Sequence, residues 1–191
     1  MSETERTDEE AVRLIVAGDA DEFALIYERY YSRAFRMAYG MTGERAAAED
    51  LTQEIFMRVF QKLSDFRGEA AFSTWFYRLA VNQSLNYRRS NRVRAVEELT
   101  PEVELGSIAR EMASAGSGVL AEQIRNQVQV ALLALKPKLR IVVILKDIEG
   151  LSYEEISKRT GCSMGTIASR LNRSRRLLAR KLEHLKGVYQ S

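Results

Sequence analysis

Apolar residues recur along this chain at helical spacing. Leu51, Ile55, Val59 and Leu63 repeat every four residues, flanked by Ala48, Phe56 and Phe60, while Asp50, Gln53, Glu54, Arg58 and Gln61 fall outside that stripe. A repeat of this period gathers the apolar set on one side of an α-helix, so residues 44–63 are expected to form an amphipathic helix. Upstream, Val12, Leu14, Ile15 and Val16 supply the apolar side of a first helix that Asp8 is placed to cap and Gly18-Asp19 ends. Phe23, Ile26, Tyr27, Tyr30, Tyr31, Phe35 and Met37 give a second helix a broad apolar side, closed off at Thr42-Gly43. After a short loop from Asp65 to Phe72, Ser73 is a candidate cap for a helix from Thr74 to about Ser90. It interleaves Trp75, Phe76, Leu79, Ala80, Leu85 and Tyr87 with Arg78, Asn82, Gln83, Asn86, Arg88 and Arg89.

Residues 93–118 break the pattern. Glu97, Glu98, Glu102, Glu104 and Glu111, Pro101 and the run Ala113 to Gly118 have the composition of a linker. Beyond it, Leu120, Ile124, Val128, Ala131, Leu132 and Leu135 form a stripe that Lys136-Pro137 ends or bends, and Ile141 to Leu145 reads as a short buried helix. Gly150 to Arg176 carries the sharpest signals. Ser152 and Glu155 make a capping box, Gly161 suits the left-handed exit of a helix, and Ser163 is placed to cap the next one. In that second helix Ile167, Leu171, Ser174 and Leu178 share a side, and Ser169, Arg170, Asn172, Arg173 and Arg176 spread over the rest. This is the pattern of a helix-turn-helix whose second helix enters the DNA major groove; the alternative is a helical hairpin with a solvated basic face. The expected fold is all-α: two small helical domains, residues 8–92 and 119–187, joined by a flexible acidic linker, 93–118.

Charge narrows the function. Lys and Arg number 29 against 26 Asp and Glu, a net charge of +3, but the signs are segregated. Residues 1–30 are acidic, residues 78–94 hold five arginines and no acid, and Arg170 to Lys186 is nearly all basic. Two basic clusters suggest two contacts with a polyanion, or two solvated faces. Aromatic rings beside arginine and amide side chains suit unstacked nucleic acid, where rings stack on bases, arginines meet phosphates and amides read base edges. Trp75, Phe76 and Leu79 suit a core; for Phe66 and Phe72 core packing and base contact both stand open. The polar side of the 44–63 helix is either solvated or a partner surface.

Cys162 is the sole cysteine and His184 the sole histidine, too few for a Cys/His zinc site within one chain or for a nucleophile–base pair. No phosphate-binding glycine loop appears, so neither an enzyme nor a metal or cofactor is expected. Cys162 reads as a small turn residue, with a redox switch as the sharper alternative. No segment approaches the ~20 apolar residues that span a bilayer, and the acidic start lacks a signal core. A cytoplasmic protein without membrane insertion is expected.

Three stretches together resemble a known family: AEDLTQEIF (Ala48–Phe56), FRGEAAFSTWFYRLAVNQSLNYRR (Phe66–Arg89) and DIEGLSYEEISKRTGCSMGTIASRLNRSR (Asp147–Arg175). In this order, and across nearly the whole chain, they are similar to extracytoplasmic-function sigma factors of the sigma-70 family, the small two-domain bacterial transcription initiation factors. The resemblance implies that the first domain is sigma region 2, with Asp50, Gln53 and Glu54 docking on core RNA polymerase. It implies that Phe66, Arg67, Phe72, Arg78, Asn82, Asn86, Arg88 and Arg89 recognise and melt the minus-10 promoter element. The second domain would be region 4, reading the minus-35 element through Ser169, Arg170, Asn172 and Arg173, with Arg176 on phosphate. An anti-sigma factor is an implied partner. Ala168, where the family often has a basic or polar residue, and Lys136-Pro137-Lys138, in place of a more acidic turn, depart from the pattern. The competing reading is a stand-alone helix-turn-helix regulator, which has no need of the first domain.

Overall fold

A computed structural model of the protein describes residues 6–97 and 118–183, with side chains over 6–87 and 122–183. The described residues form eight α-helices in two groups. The first group is α1 (Asp8–Val16), α2 (Phe23–Thr42), α3 (Arg45–Lys62) and α4 (Phe72–Glu97). The second is α5 (Gly118–Leu133), α6 (Pro137–Val143), α7 (Tyr153–Thr160) and α8 (Met164–Lys181). A π-helical turn, Ile144–Ile148, follows α6.

Several boundaries differ from the sequence expectation for physical reasons. Thr7, not Asp8, caps α1: its hydroxyl accepts from the Glu10 amide at 3.2 Å, and the Glu10 carboxylate accepts from the Thr7 amide at 2.9 Å. Asp8 is engaged instead by Arg29, at 2.8 Å, and by the Tyr30 hydroxyl. Ser73 lies inside α4 rather than capping it. That helix starts at Phe72, whose amide donates to the Glu9 carboxylate of α1 at 3.1 Å. A distant acid thus satisfies an orphan donor at the helix start, where negative charge is also favoured by the helix dipole. At its far end α4 runs to Glu97, into the stretch expected to be linker. Lys136-Pro137 opens α6, with Pro137 in the first turn, where its missing N–H costs nothing.

The α3 stripe packs as the periodicity requires, with Ala48, Leu51, Ile55, Phe56 and Val59 buried against α2 and α4. Tyr30 of α2 packs edge-on to Phe72 and tilted against Phe76 of α4, with ring centroids at 5.6 and 4.5 Å. In the second group Ile141 to Leu145, Ile156, Ile167 and Leu171 are buried together. The two groups do not have separate cores: one continuous cluster of buried side chains runs through both.

Candidate nucleic-acid interface

The helix-turn-helix is built from local signals. Ser152 Oγ accepts from the Glu155 amide at 3.1 Å, and the Glu155 carboxylate accepts from the Ser152 amide at 2.8 Å. Those bonds, the backbone one first, hold the Glu155 carboxyl below the usual carboxylate range. Gly161 ends α7 at φ 68°, a left-handed conformation that costs glycine nothing, and its amide closes on Ser157 O at 2.9 Å. Ser157 Oγ then donates to Cys162 O at 2.7 Å, fixing the turn, and Ser163 caps α8 by accepting from the Thr166 amide at 3.2 Å. Ile167, Leu171 and Ser174 seat α8, and the Ser174 hydroxyl bonds to Arg170 O at 2.7 Å.

That seating leaves Ser169, Asn172, Arg173 and Arg176 exposed on one side over two turns. Arg170 is half-buried, its Nη1 3.2 Å from Cys162 Sγ. Arg175, the remaining arginine of this stretch, is paired with Asp147 at 2.5 Å. A helix of this width fits a major groove, and its arginines and asparagine carry the donor patterns that bind guanine and adenine edges.

The first group presents a different surface. Phe72 has no exposure and sits among Tyr30, Phe66, Trp75 and Phe76. This corrects its assignment to promoter contact: the ring cannot reach a base without leaving the core. Phe66 is half-buried, edge-on to Phe72 at 5.5 Å, and Arg67 beside it is exposed. Asn82 and Asn86 are exposed one turn apart on α4. They lie about 10 Å or more along the helix from Trp75, which packs on Phe66, at 1.5 Å per residue. Arg78 does not join them, because its Nε donates to Lys158 O of α7 at 2.8 Å. Arg88 and Arg89 lie on α4 with side chains outside those described.

On α3, Asp50, Gln53 and Glu54 share an exposed face at positions i, i+3 and i+4. Glu54 is fixed by Gln83 of α4 at 2.9 Å. Met57, 62% exposed, extends this face by one turn. It was legible in outline, because it falls off the Leu51–Ile55–Val59 stripe. Among the described residues no helix is long and apolar enough to cross a membrane.

Comparison with known proteins agrees with this division. Residues 26–94 match the family model of sigma-70 region 2, and residues 125–178 that of sigma-70 region 4. The ECF RNA polymerase sigma-E factor of Escherichia coli (strain K12) is 34% identical over 97% of this chain and 98% of its own length. The factor of the same name from Haemophilus influenzae is 30% identical over 94% and 97%. In fold, the chain is similar to the sigma factor RpoE in its complex with the anti-sigma factor NepR from Bartonella quintana, with TM-score 0.65 and 22% identity over 85% of this chain and 97% of that one. It is equally similar to CnrH in complex with the cytosolic domain of CnrY, with TM-score 0.65 and 19% identity over 91% and 96%. The chain belongs to the extracytoplasmic-function sigma factors of the sigma-70 family.

Proposed function

We propose that this sigma factor works through three separate surfaces. Asp50, Gln53 and Glu54, with Met57, dock on core RNA polymerase. Phe66, Arg67, Asn82, Asn86, Arg88 and Arg89 hold the melted minus-10 strand. Ser169, Arg170, Asn172, Arg173 and Arg176 read the minus-35 duplex. The observation that carries this reading is the pairing of an intact helix-turn-helix with an exposed polar face on α3 within one chain. A regulator that only binds duplex DNA has no use for the second. The factor adds no catalysis of its own; it supplies sequence readout and strand separation to a polymerase in the cytoplasm, in a stress or envelope response. Flipping a base costs a few kcal/mol of stacking, which contacts to Phe66 and Arg67 must return. The complex of the similarly folded RpoE with the anti-sigma factor NepR supports a partner of that kind.

The test is transcription in vitro by purified core polymerase on a genomic promoter library, with and without the protein. Specific starts that depend on the protein are expected and yield both promoter elements. Specific duplex binding by the protein alone, with no starts, would favour a stand-alone regulator.

A further inference from the structure

A cleft of about 1620 Å³ runs between α3 and α4 on one side and the α5–α6 junction and α8 on the other. Its walls are built from packed pieces. At Gly40 of α2 the backbone comes so close to Ile144 of the π turn that an added Cβ would meet its side chain at 2.8 and 2.9 Å. Arg140 of α6 is 1% exposed. Its guanidinium donates to Leu132 O at 2.8 Å, to Leu135 O at 3.0 Å, to Leu133 O, and to Met41 O of α2 at 2.6 Å. That arginine, though it borders the cleft, is spent on the protein's own carbonyls.

The charges on the walls do not balance. Arg58 of α3, Lys136 and Lys138 at the junction and Arg173 of α8 all line the cleft and are exposed. Among the described residues none of the four is paired with an acid. Other surface arginines differ: Arg36, Arg45 and Arg175 hold carboxylates at 2.8, 2.9 and 2.5 Å. The single carboxylate of the lining, Glu54, is bonded to Gln83 at 2.9 Å, and Lys62 is already bonded to Asp65 at 2.9 Å. Gln61, Asn82 and Asn86 add amide donors. Cations gathered in a concave site with low-dielectric walls raise the local concentration of anions. The rest of the lining is aliphatic, and no Phe, Tyr or Trp reaches it. Sites for single-stranded nucleic acid stack bases on aromatic rings, so this cleft is equipped to hold charge without a base. Small-molecule pockets measure about 300–1,000 Å³, so the space suits an extended ligand rather than a single ion.

We infer that the cleft binds a linear polyphosphate chain, with Arg58, Lys136, Lys138 and Arg173 on its phosphate oxygens and Gln61, Asn82 and Asn86 donating between them. An arginine fork meets two oxygens of one phosphate, while a lysine acts as a point charge that tolerates a sliding chain. Because the cations already stand on packed helices, binding orders little of the backbone. A bound chain would also cover Asn82, Asn86 and Arg173, which the promoter needs; that consequence rests on the proposed function, whereas the binding itself does not.

The test titrates the full-length protein into a short inorganic polyphosphate labelled at one end, at physiological salt, and follows fluorescence anisotropy. Lys136→Glu with Lys138→Glu reverses two of the four charges at exposed positions outside the proposed promoter- and polymerase-binding residues. Arg180→Glu with Lys181→Glu makes the same change in net charge at the end of α8, outside the cleft. The expected result is saturable binding that the first pair weakens about tenfold or more and the second leaves within about twofold. In the unsubstituted protein, the bound chain should shield Lys136 and Lys138, but not Lys181, from acetylation read by mass spectrometry, which guards against a variant that misfolds. Equal weakening by the two pairs, or equal shielding of all three lysines, would mean general attraction between a basic protein and an anion and would overturn the site. Orthophosphate that binds as tightly as the chain would overturn the extended ligand. A nucleoside polyphosphate or a single-stranded oligonucleotide of equal charge that binds more tightly through the same two lysines would overturn recognition without a base.

Discussion

The fully buried residues of α8 are Ile167, Leu171 and Ser174, a single narrow stripe. Those of α4 within the described side chains are Phe72, Phe76, Tyr77, Ala80, Val81 and Ser84, nearly two sides of the helix. Both helices carry arginine and amide residues, and the proposed function gives them different targets. A duplex offers a groove that accepts a whole helix, so α8 needs a firm seat and a wide free face. A melted strand offers separated bases, so the surface beside α4 must be shaped, and an aromatic layer beneath it supplies the rigid floor. Phe66 and Arg67 lie at the rim of that layer, while Asn82 and Asn86 lie about 10 Å or more farther along α4.

Phe72→Ala should give the largest effect, because it empties the centre of that aromatic layer. A loss of about 3–5 kcal/mol in unfolding free energy is expected for a buried phenylalanine. Phe66→Ala, at a half-buried ring, should cost less stability and proportionately more promoter opening. Denaturant unfolding and permanganate footprinting of the opened strand measure the two. If Phe72→Ala melts like the wild type while opening is abolished, the ring is a base platform and the contrast with α8 collapses.

Arg140→Met comes next. The native guanidinium donates to three carbonyls at the α5 end; without it Leu133 O and Leu135 O lose that donor, and Leu132 O keeps the Leu135 amide at 3.0 Å. A loss of about 3 kcal/mol is expected, concentrated in α5 to α8. Hydrogen exchange should show those helices opening earlier than α1 to α3; uniform acceleration across both groups would contradict this.

These two residues show how much of the molecule is legible in its sequence. The Ser152–Glu155 box, the Gly161 exit, the Ser163 cap and the α3 stripe were all readable, because each is decided within a few residues of chain. Arg140 was not. It follows Lys136-Pro137-Lys138 and reads as one more surface base; its burial depends on α5 ending where its carbonyls need a donor. Gly40 looks like an ordinary weak point in a helix, and only Ile144, more than a hundred residues away, explains it. Glu9 as the cap of α4 is hidden for the same reason. Phe72 was ambiguous, since a ring at a loop–helix junction serves core or ligand equally well in sequence. Asn82, Asn86, Asn172 and Arg173 were readable as exposed, since they fall between apolar positions.

Arg170→Ala sharpens the duplex side of the comparison. Loss of an arginine that reads guanine should remove about 1–3 kcal/mol of discrimination at one minus-35 base pair. Polymerase binding should be unchanged, since the face on α3 is separate. Transcription from promoters mutated singly across the minus-35 element measures this. Unchanged selectivity would remove Arg170 from the reading set and leave it as a partner of the Cys162 turn.

The smallest effect tests whether the two groups are capped alike. Glu10 in α1 and Glu155 in α7 are both the acid of a capping box, and both carboxyls are held below their usual range, by bonds to Thr7 and to Ser152 respectively. A carboxyl whose folded pKa is depressed contributes stability above its unfolded value of about 4.3, and that contribution fades as pH falls through the folded value. Glu155→Gln keeps an acceptor for the Ser152 amide but removes the negative charge from the start of α7, where the helix dipole favours it. At neutral pH the variant should therefore melt slightly below the wild type, and the gap should close as pH falls below about 4. Glu10→Gln should behave in the same way in the first group. A gap for Glu155→Gln that persists at low pH would mean that the shape of the carboxylate, rather than its charge, holds the first helix of the helix-turn-helix in place.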